Sequence, residues 1–229
     1  MEEKMFGPVY KHMRQRPLRD SAGTGSDMPC RDDQMRGITS GTRIATADGW
    51  RTVDALTIGD RIPTLDSGPQ NLVAITRATR FVRKNTPPDF ASPVHVPAGV
   101  IGNSEPMVLL PEQMVMIESD EALARTGDPF ALVPAKALVG YREAERFRAL
   151  RSFEVFTLHF RNDEMIYVDG GALVLAQAAV PGEIVPPDAF ARPTPYAVFR
   201  GRQAGELVAA LAEESEFETG QAATYAAAA

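Results

Sequence analysis

The stretch that decides the fold is residues 37–66, GITSGTRIATADGWRTVDALTIGDRIPTLD. Its short apolar–polar alternations are broken by turn signals at regular spacing. Residues 42–46, TRIAT, alternate and then meet Asp48-Gly49, whose glycine supplies the positive φ of a tight hairpin before WRTV. Residues 53–56, VDAL, read as one helical turn, and Gly59-Asp60 turns the chain into RIPTLD, with Asp60 fixing the turn. Pro63 has no N–H to give a ladder, so that strand is expected at an edge or a bulge. Trp50, the one tryptophan, is expected to anchor packing.

Working outward, the same grammar continues. Residues 66–70, DSGPQ, read as a turn, and 71–84, rich in Val, Ile and Thr, as a long strand. A loop is expected over 86–93, and a strand followed by a turn over 94–102. Two apolar runs parted by Pro111-Glu112 fill 107–119, and a strand with a short helix fills 128–139. Residues 153–162 form a strand with Phe153, Val155, Thr157 and His159 on one face and Glu154, Phe156, Leu158 and Phe160 on the other. Asn162-Asp163 turns it into 164–170, and GGALVLAQAA (170–179) is expected to add a helical turn. Many short strands between turns, with few long helices, give an all-β domain over 37–180 without an internal repeat.

The flanks read differently. Residues 1–36 are rich in charge, Gly, Ser and Met without a sustained period and are expected to form a flexible N-terminal arm. Residues 181–229 hold a Pro-rich segment and a short C-terminal helix over 205–217, where Leu207, Val208, Leu211 and Ala212 make one stripe. A helix this short needs a partner surface, here the β-domain.

Composition narrows the function classes. The chain has 229 residues, 44% hydrophobic, enough for one sizeable core. Its net charge of −6 argues against nucleic acid; the basic residues Lys11, Arg14, Arg16 and Arg19 read as a solvated segment. Cys30 stands alone, which excludes an intrachain disulfide, and His12, His95 and His159 show no metal-ligand spacing. No metal, no other cofactor and no membrane partner is expected. The charged N-terminus lacks a signal-peptide core, so the chain is expected in the cytoplasm, or exported without an N-terminal signal.

The quoted stretch resembles the opening of a Hint domain, the self-processing fold of inteins and Hedgehog C-terminal regions. It is most similar to a bacterial Hint-like group in which Cys-x-x-x-Gly-Thr precedes a strand, a turn and Val-Asp/Glu-x-Leu-x-x-Gly-Asp. Gly41-Thr42, Val53-Asp54-Ala55-Leu56 and Gly59-Asp60 match that spacing. Residues 93–117, 132–139 and 156–174 resemble the group's later segments in order. The resemblance implies a horseshoe of short strands and hairpins. It also implies a chemistry in which a thiol or hydroxyl attacks the preceding carbonyl, a histidine protonates the departing nitrogen and donors hold the oxyanion.

Carried over position by position, the reaction is missing its parts. Gly37 stands where the resemblance implies cysteine, and Gln113 where it implies histidine; Gln113 can hydrogen-bond but cannot shuttle a proton near neutral pH. Thr79 falls in the histidine position of the Thr-x-x-His pattern, with His159 as the surviving imidazole. The expectation is a degenerate Hint-like domain that has lost self-processing, a vestigial or protein-binding module around Gly37, Gln113 and Thr79. The rival is an active autoproteolytic domain with Ser40 or Thr39 as nucleophile and His159 assisting; a third class is a small-molecule binder reusing the old pocket. Cys30 is a free thiol too far ahead of Gly37 to be held in attacking geometry, and His95 has no catalytic role.

Overall fold

The computed structural model describes residues 35–81, 92–146, 152–176, 178 and 195–227. Cys30, His12, nearly all of the expected arm and most of the Pro-rich segment lie outside these residues. In chain order the strands are β1 (Ile38–Thr39), β2 (Arg43–Thr46), β3 (Gly49–Thr52), β4 (Arg61–Thr64), β5 (Gly68–Asn71), β6 (Ala74–Phe81), β7 (Val94–Val96), β8 (Met107–Leu109) and β9 (Met114–Glu118). After helix α1 (Asp120–Thr126) come β10 (Phe130–Pro134), β11 (Glu145–Arg146), β12 (Ser152–His159), β13 (Glu164–Val168), β14 (Ala172–Ala176), β15 (Ala197–Val198) and helix α2 (Gly201–Ala227). Short 3-10 turns span Val53–Ala55 and Ala135–Leu138.

Among the described residues two sheets form. One runs β11-β7-β8-β1-β12-β6; the other runs β15-β10-β9-β14-β13-β2-β3, with β4 and β5 joined through β13. The chain therefore enters the domain at the middle of a sheet: Ile38 pairs with Leu109 on one side and Phe156 on the other. The long strand expected over 71–84 is β6, which pairs with all eight residues of β12, from Ser152↔Phe81 to His159↔Ala74. One apolar core joins both sheets; Ile44, Ile62, Leu109, Val133, Leu138, Ile166 and Leu207 contribute to it.

The hairpin expected at 42–52 is present, and a second, over 61–71, is a near copy of it. Arg43-Ile44-Ala45-Thr46 and Arg61-Ile62-Pro63-Thr64 each bury the isoleucine and the threonine. Thr46 Oγ1 donates to Gly49 O (2.6 Å) and accepts from Asp48 N (3.2 Å); Thr64 Oγ1 donates to Gly68 O (2.8 Å) and accepts from Ser67 N (3.3 Å). Strand β13 pairs with both, through Val168↔Ile44 and Ile166↔Thr64. The sequence carries the repeat only as a short Arg-Ile-x-Thr, and one turn is a residue longer than the other, so no regular period marks it.

Several local expectations change. β4 is flanked by β13 and β5, so it is not an edge; Pro63 is tolerated because it sits opposite Pro69, where neither residue has an N–H to offer. Gly68–Asn71, read as part of a turn, is strand β5. The helical turn expected after Gly170 is strand β14, since Leu173 and Leu175 alternate with buried Ala172, Val174 and Ala176 across a paired sheet. Trp50 is 44% exposed on the outermost strand β3 and is no packing anchor. Helix α1 was not anticipated, although Ser119 caps it by accepting from Glu121 N (3.1 Å) and Gly127 ends it in a left-handed conformation.

Helix α2 contains the expected stripe and is longer than 205–217. Ala204, Leu207 and Val208 are buried in the main core, and Leu211 and Ala212 pack against it. Glu214 Oε1 accepts from Ser119 Oγ (3.2 Å) and Glu121 N (3.3 Å), which fastens α2 to the N-terminus of α1. Among the described residues, no helix is long and apolar enough to cross a membrane.

Candidate functional site

Residues Met35 and Arg36, the end of the segment read as an arm, are buried rather than free. The loop between β8 and β9 holds them. Glu112 N donates to Met35 O (3.0 Å), and Gly37 N donates to Gln113 Oε1 (3.0 Å). The carboxamide of Gln113 is used on both sides, because its Nε2 donates to Met114 O (3.2 Å) and Leu175 O (2.9 Å). The loop is itself braced: Ala135 N donates to Gln113 O (2.8 Å), Lys136 N to Pro111 O (3.0 Å), and the Lys136 ammonium pairs with the buried Glu112 carboxylate. Gly37 and Gln113 therefore come together at the entry of the chain into the sheet, as the alignment of the sequence required.

Gly37 is closed in. Its φ is +127°, a region that side-chain-bearing residues rarely adopt. A Cβ added there would lie 3.0 Å from Phe156 O, 3.4 Å from Thr157 Oγ1 and closer still to Val155 Cγ1. Beside Gly37 and Gln113 lies a cavity of about 40 Å3, lined also by Met114, Thr157 and Leu175. That is room for a few waters and far below the several hundred Å3 of a small-molecule site, so the geometry gives the ligand-binding reading no support.

The remaining candidates lie elsewhere. His159 does not line this cavity. It sits two residues beyond Thr157 on β12, about 7 Å along the strand, opposite Ala74, and its Nε2 is 2.9 Å from Thr76 Oγ1. Burial holds its imidazole below the ordinary pKa, and its buried Nδ1 has no partner among the described residues. Thr79 lies outside the cavity altogether: it is exposed on β6 opposite Glu154, three residues from the position that faces Thr157. The Thr-x-x-His alignment placed it wrongly because it extends an imperfect alternation along an eight-residue ladder. His95 is half-buried on β7, opposite Glu145 and Val108.

The two hydroxyl candidates have other partners. Thr39 Oγ1 donates to Val108 O (3.0 Å) and lies 3.5 Å from Thr42 Oγ1. Ser40 Oγ donates to Asp54 Oδ1 (2.5 Å), while Gly41 N donates to Asp54 Oδ2 (2.7 Å) and Ser40 N to Glu154 O (3.1 Å). Burial pushes the Asp54 carboxyl up, but the Ser40 hydroxyl and the Gly41 amide outweigh it and hold the pKa below the usual carboxylate value. The Val-Asp of the motif is thus a carboxylate clamp on the turn after β1. Asp60 plays the same part in its own turn: Thr57 N (2.7 Å) and Arg51 Nη1 (3.1 Å) donate to its carboxylate.

The sequence reading missed Val155, Thr157 and Glu112, the residues that close around Gly37 and its approach. Their signal is register: in the antiparallel pairing Ile38↔Phe156, the residue before Ile38 must meet Thr157.

No curated protein matches the chain in sequence. Solved structures similar to it include a bacterial intein-like domain from Clostridium thermocellum, at 14% identity over 61% of this chain and 98% of that one, with TM-score 0.39. The MchDnaB-1 intein is similar at 15% identity over 60% and 98%, TM-score 0.36, and the gp41-1 intein at 7% identity over 62% and 97%, TM-score 0.36. The family profile described as the Hint domain matches residues 37–174, more than half of the chain and beginning at Gly37 itself. The chain belongs to the Hint domain family.

Proposed function

We propose that this chain is a Hint domain that no longer cleaves itself and acts instead as a protein-binding scaffold, holding the segment ahead of residue 37 uncut. The observation that carries the reading is the state of the junction at Gly37. An acyl shift needs an oxygen or sulfur on residue 37 to attack the Arg36 carbonyl, and glycine has neither. It also needs an acid for the departing Gly37 nitrogen. That N–H already donates to Gln113 Oε1, an acceptor, and the N–H groups of Gln113 are directed at the carbonyls of Met114 and Leu175. No proton donor faces the leaving nitrogen through Gln113.

The autoproteolytic alternative is weaker on the same grounds. Thr39 and its peptide lie between two strands, with the hydroxyl on the Val108 carbonyl. Ser40 donates to Asp54, a carboxylate held acidic and therefore a poor base. Intact mass spectrometry of the purified chain, with and without dithiothreitol or hydroxylamine, separates the readings. The proposal expects the full-length mass under every condition. Fragments from cleavage before residue 37, 39 or 40 overturn it, and the fragment boundary names the nucleophile.

A further inference from the structure

We infer that Val155 bars any side chain from position 37, so that the site is shut by packing as well as by substitution. The inference rests on the non-processing reading, and it concerns what keeps the site closed. Val155 is 2% exposed and lies in the middle of β12, opposite Thr39 on one side and Ala78 on the other. Two ladders fix its backbone, and its branched Cβ restricts χ1. Its Cγ1 occupies the space that a Cβ on residue 37 would enter. The second wall there is the Phe156 carbonyl, which belongs to the same ladder and cannot swing aside.

A cysteine restored at position 37 therefore meets obstacles of two kinds. The positive φ and the Phe156 carbonyl belong to the backbone and stay whatever residue 155 is. Val155, the nearest atom to the added Cβ, is a side chain that can be shortened. Only this last is relieved by changing residue 155, which makes Val155 a position-specific determinant of how well a nucleophile fits. Reversal of Gly37 by itself is not a route back to activity.

The test is a double-mutant cycle in a Cys30→Ser background, so that any thiol measured is the new one. The variants are Gly37→Cys, Val155→Ala and both together, with Gly37→Ala as the smaller probe if the cysteine variant does not fold. The melting-temperature loss caused by the change at 37 is expected to fall by at least half when residue 155 is alanine. Additive losses overturn the inference. So does dithiothreitol-dependent cleavage before residue 37 in Gly37→Cys/Gln113→His with Val155 intact. Cleavage of the unmodified chain overturns the non-processing reading instead and leaves the coupling to be judged on its own.

Discussion

At Gly37 the backbone is buried and the direction a side chain would take is blocked. Its N–H is taken by a buried carboxamide, and the space above its Cα is filled by Val155. At Ser40 and Gly41, three and four residues on, the chain is exposed, and one carboxylate, Asp54, gathers the turn from outside. Gly41 also has a positive φ, +88°, yet a Cβ there would meet nothing within 4 Å. Both places fall within the span that the Hint profile matches, and both give their amides to a side chain distant in sequence. They differ in what a side chain could do. At the first there is no room for one, while at the second the Ser40 hydroxyl and the Gly41 amide both bond to Asp54 and support the turn. The turn is held by a carboxylate that leaves its backbone open to solvent, and the junction is held by a buried carboxamide with Val155 packed beside it.

Substituting the two glycines sharpens this contrast most. Gly37→Ala combines a strained φ with overpacking against Val155 and is expected to cost about 3–4 kcal/mol. Gly41→Ala carries the backbone term alone, about 1–2 kcal/mol. Urea midpoints at equal m-values measure both. Equal losses would mean that Val155 moves away freely, and the enclosed character of Gly37 would be an illusion of the static structure.

The side chains that hold the two places come next. Gln113→Ala leaves the Gly37 N–H and the Met114 and Leu175 carbonyls without their buried partner, at a cost of about 2–3 kcal/mol. Asp54→Ala removes two hydrogen bonds at an exposed turn, where water replaces them, and is expected to cost about 1 kcal/mol. Thermal unfolding followed by far-UV circular dichroism ranks them. The reverse order would place the structural weight of the site on the turn rather than the junction.

The sequence made the turn half of this comparison easy to read. Asp48-Gly49, Val53-Asp54 and Gly59-Asp60 act locally, through positive φ and carboxylates bonded to nearby amides, so hairpins and family could be read from residues a few positions apart. The junction half depends on contacts 76 residues apart for Gln113 and more than 115 for Val155, which only strand register fixes. Gly37 and Gln113 could be related to each other in the sequence because a family motif spans that distance. Thr79 was misplaced because the pattern around it was too loose to set a register. Val155 looked like any apolar residue on an alternating strand, and helix α1 hid behind a capped start that carries no apolar stripe. The two Thr-sealed hairpins share Arg-Ile-x-Thr in the sequence, but so short a match shows its meaning only once the threonine hydrogen bonds are seen.

The smallest expected effects are pH-dependent and set the two places apart again. Asp54 has a folded pKa below its unfolded value, near 3.9, so the stability it contributes is complete above that value and is lost as pH falls through the folded pKa. Asp54→Asn should then differ from the unmodified chain at pH 6 and converge with it toward pH 3. His159 has a folded pKa below about 6.5 because it is buried. Between the two pKa values the unfolded chain binds the extra proton, so stability falls as pH drops from about 6.5. His159→Gln should remove that slope while leaving the Asp54 region below it unchanged. The two windows open at different pH, about 6.5 for His159 and about 3.9 for Asp54, for one group on strand β12 and one in the Val53–Ala55 turn, with Thr76 and Ser40 as their partners. If one substitution flattened both windows, the turn and the β6–β12 ladder would have to titrate as a single unit, and the separation between the two places would fail.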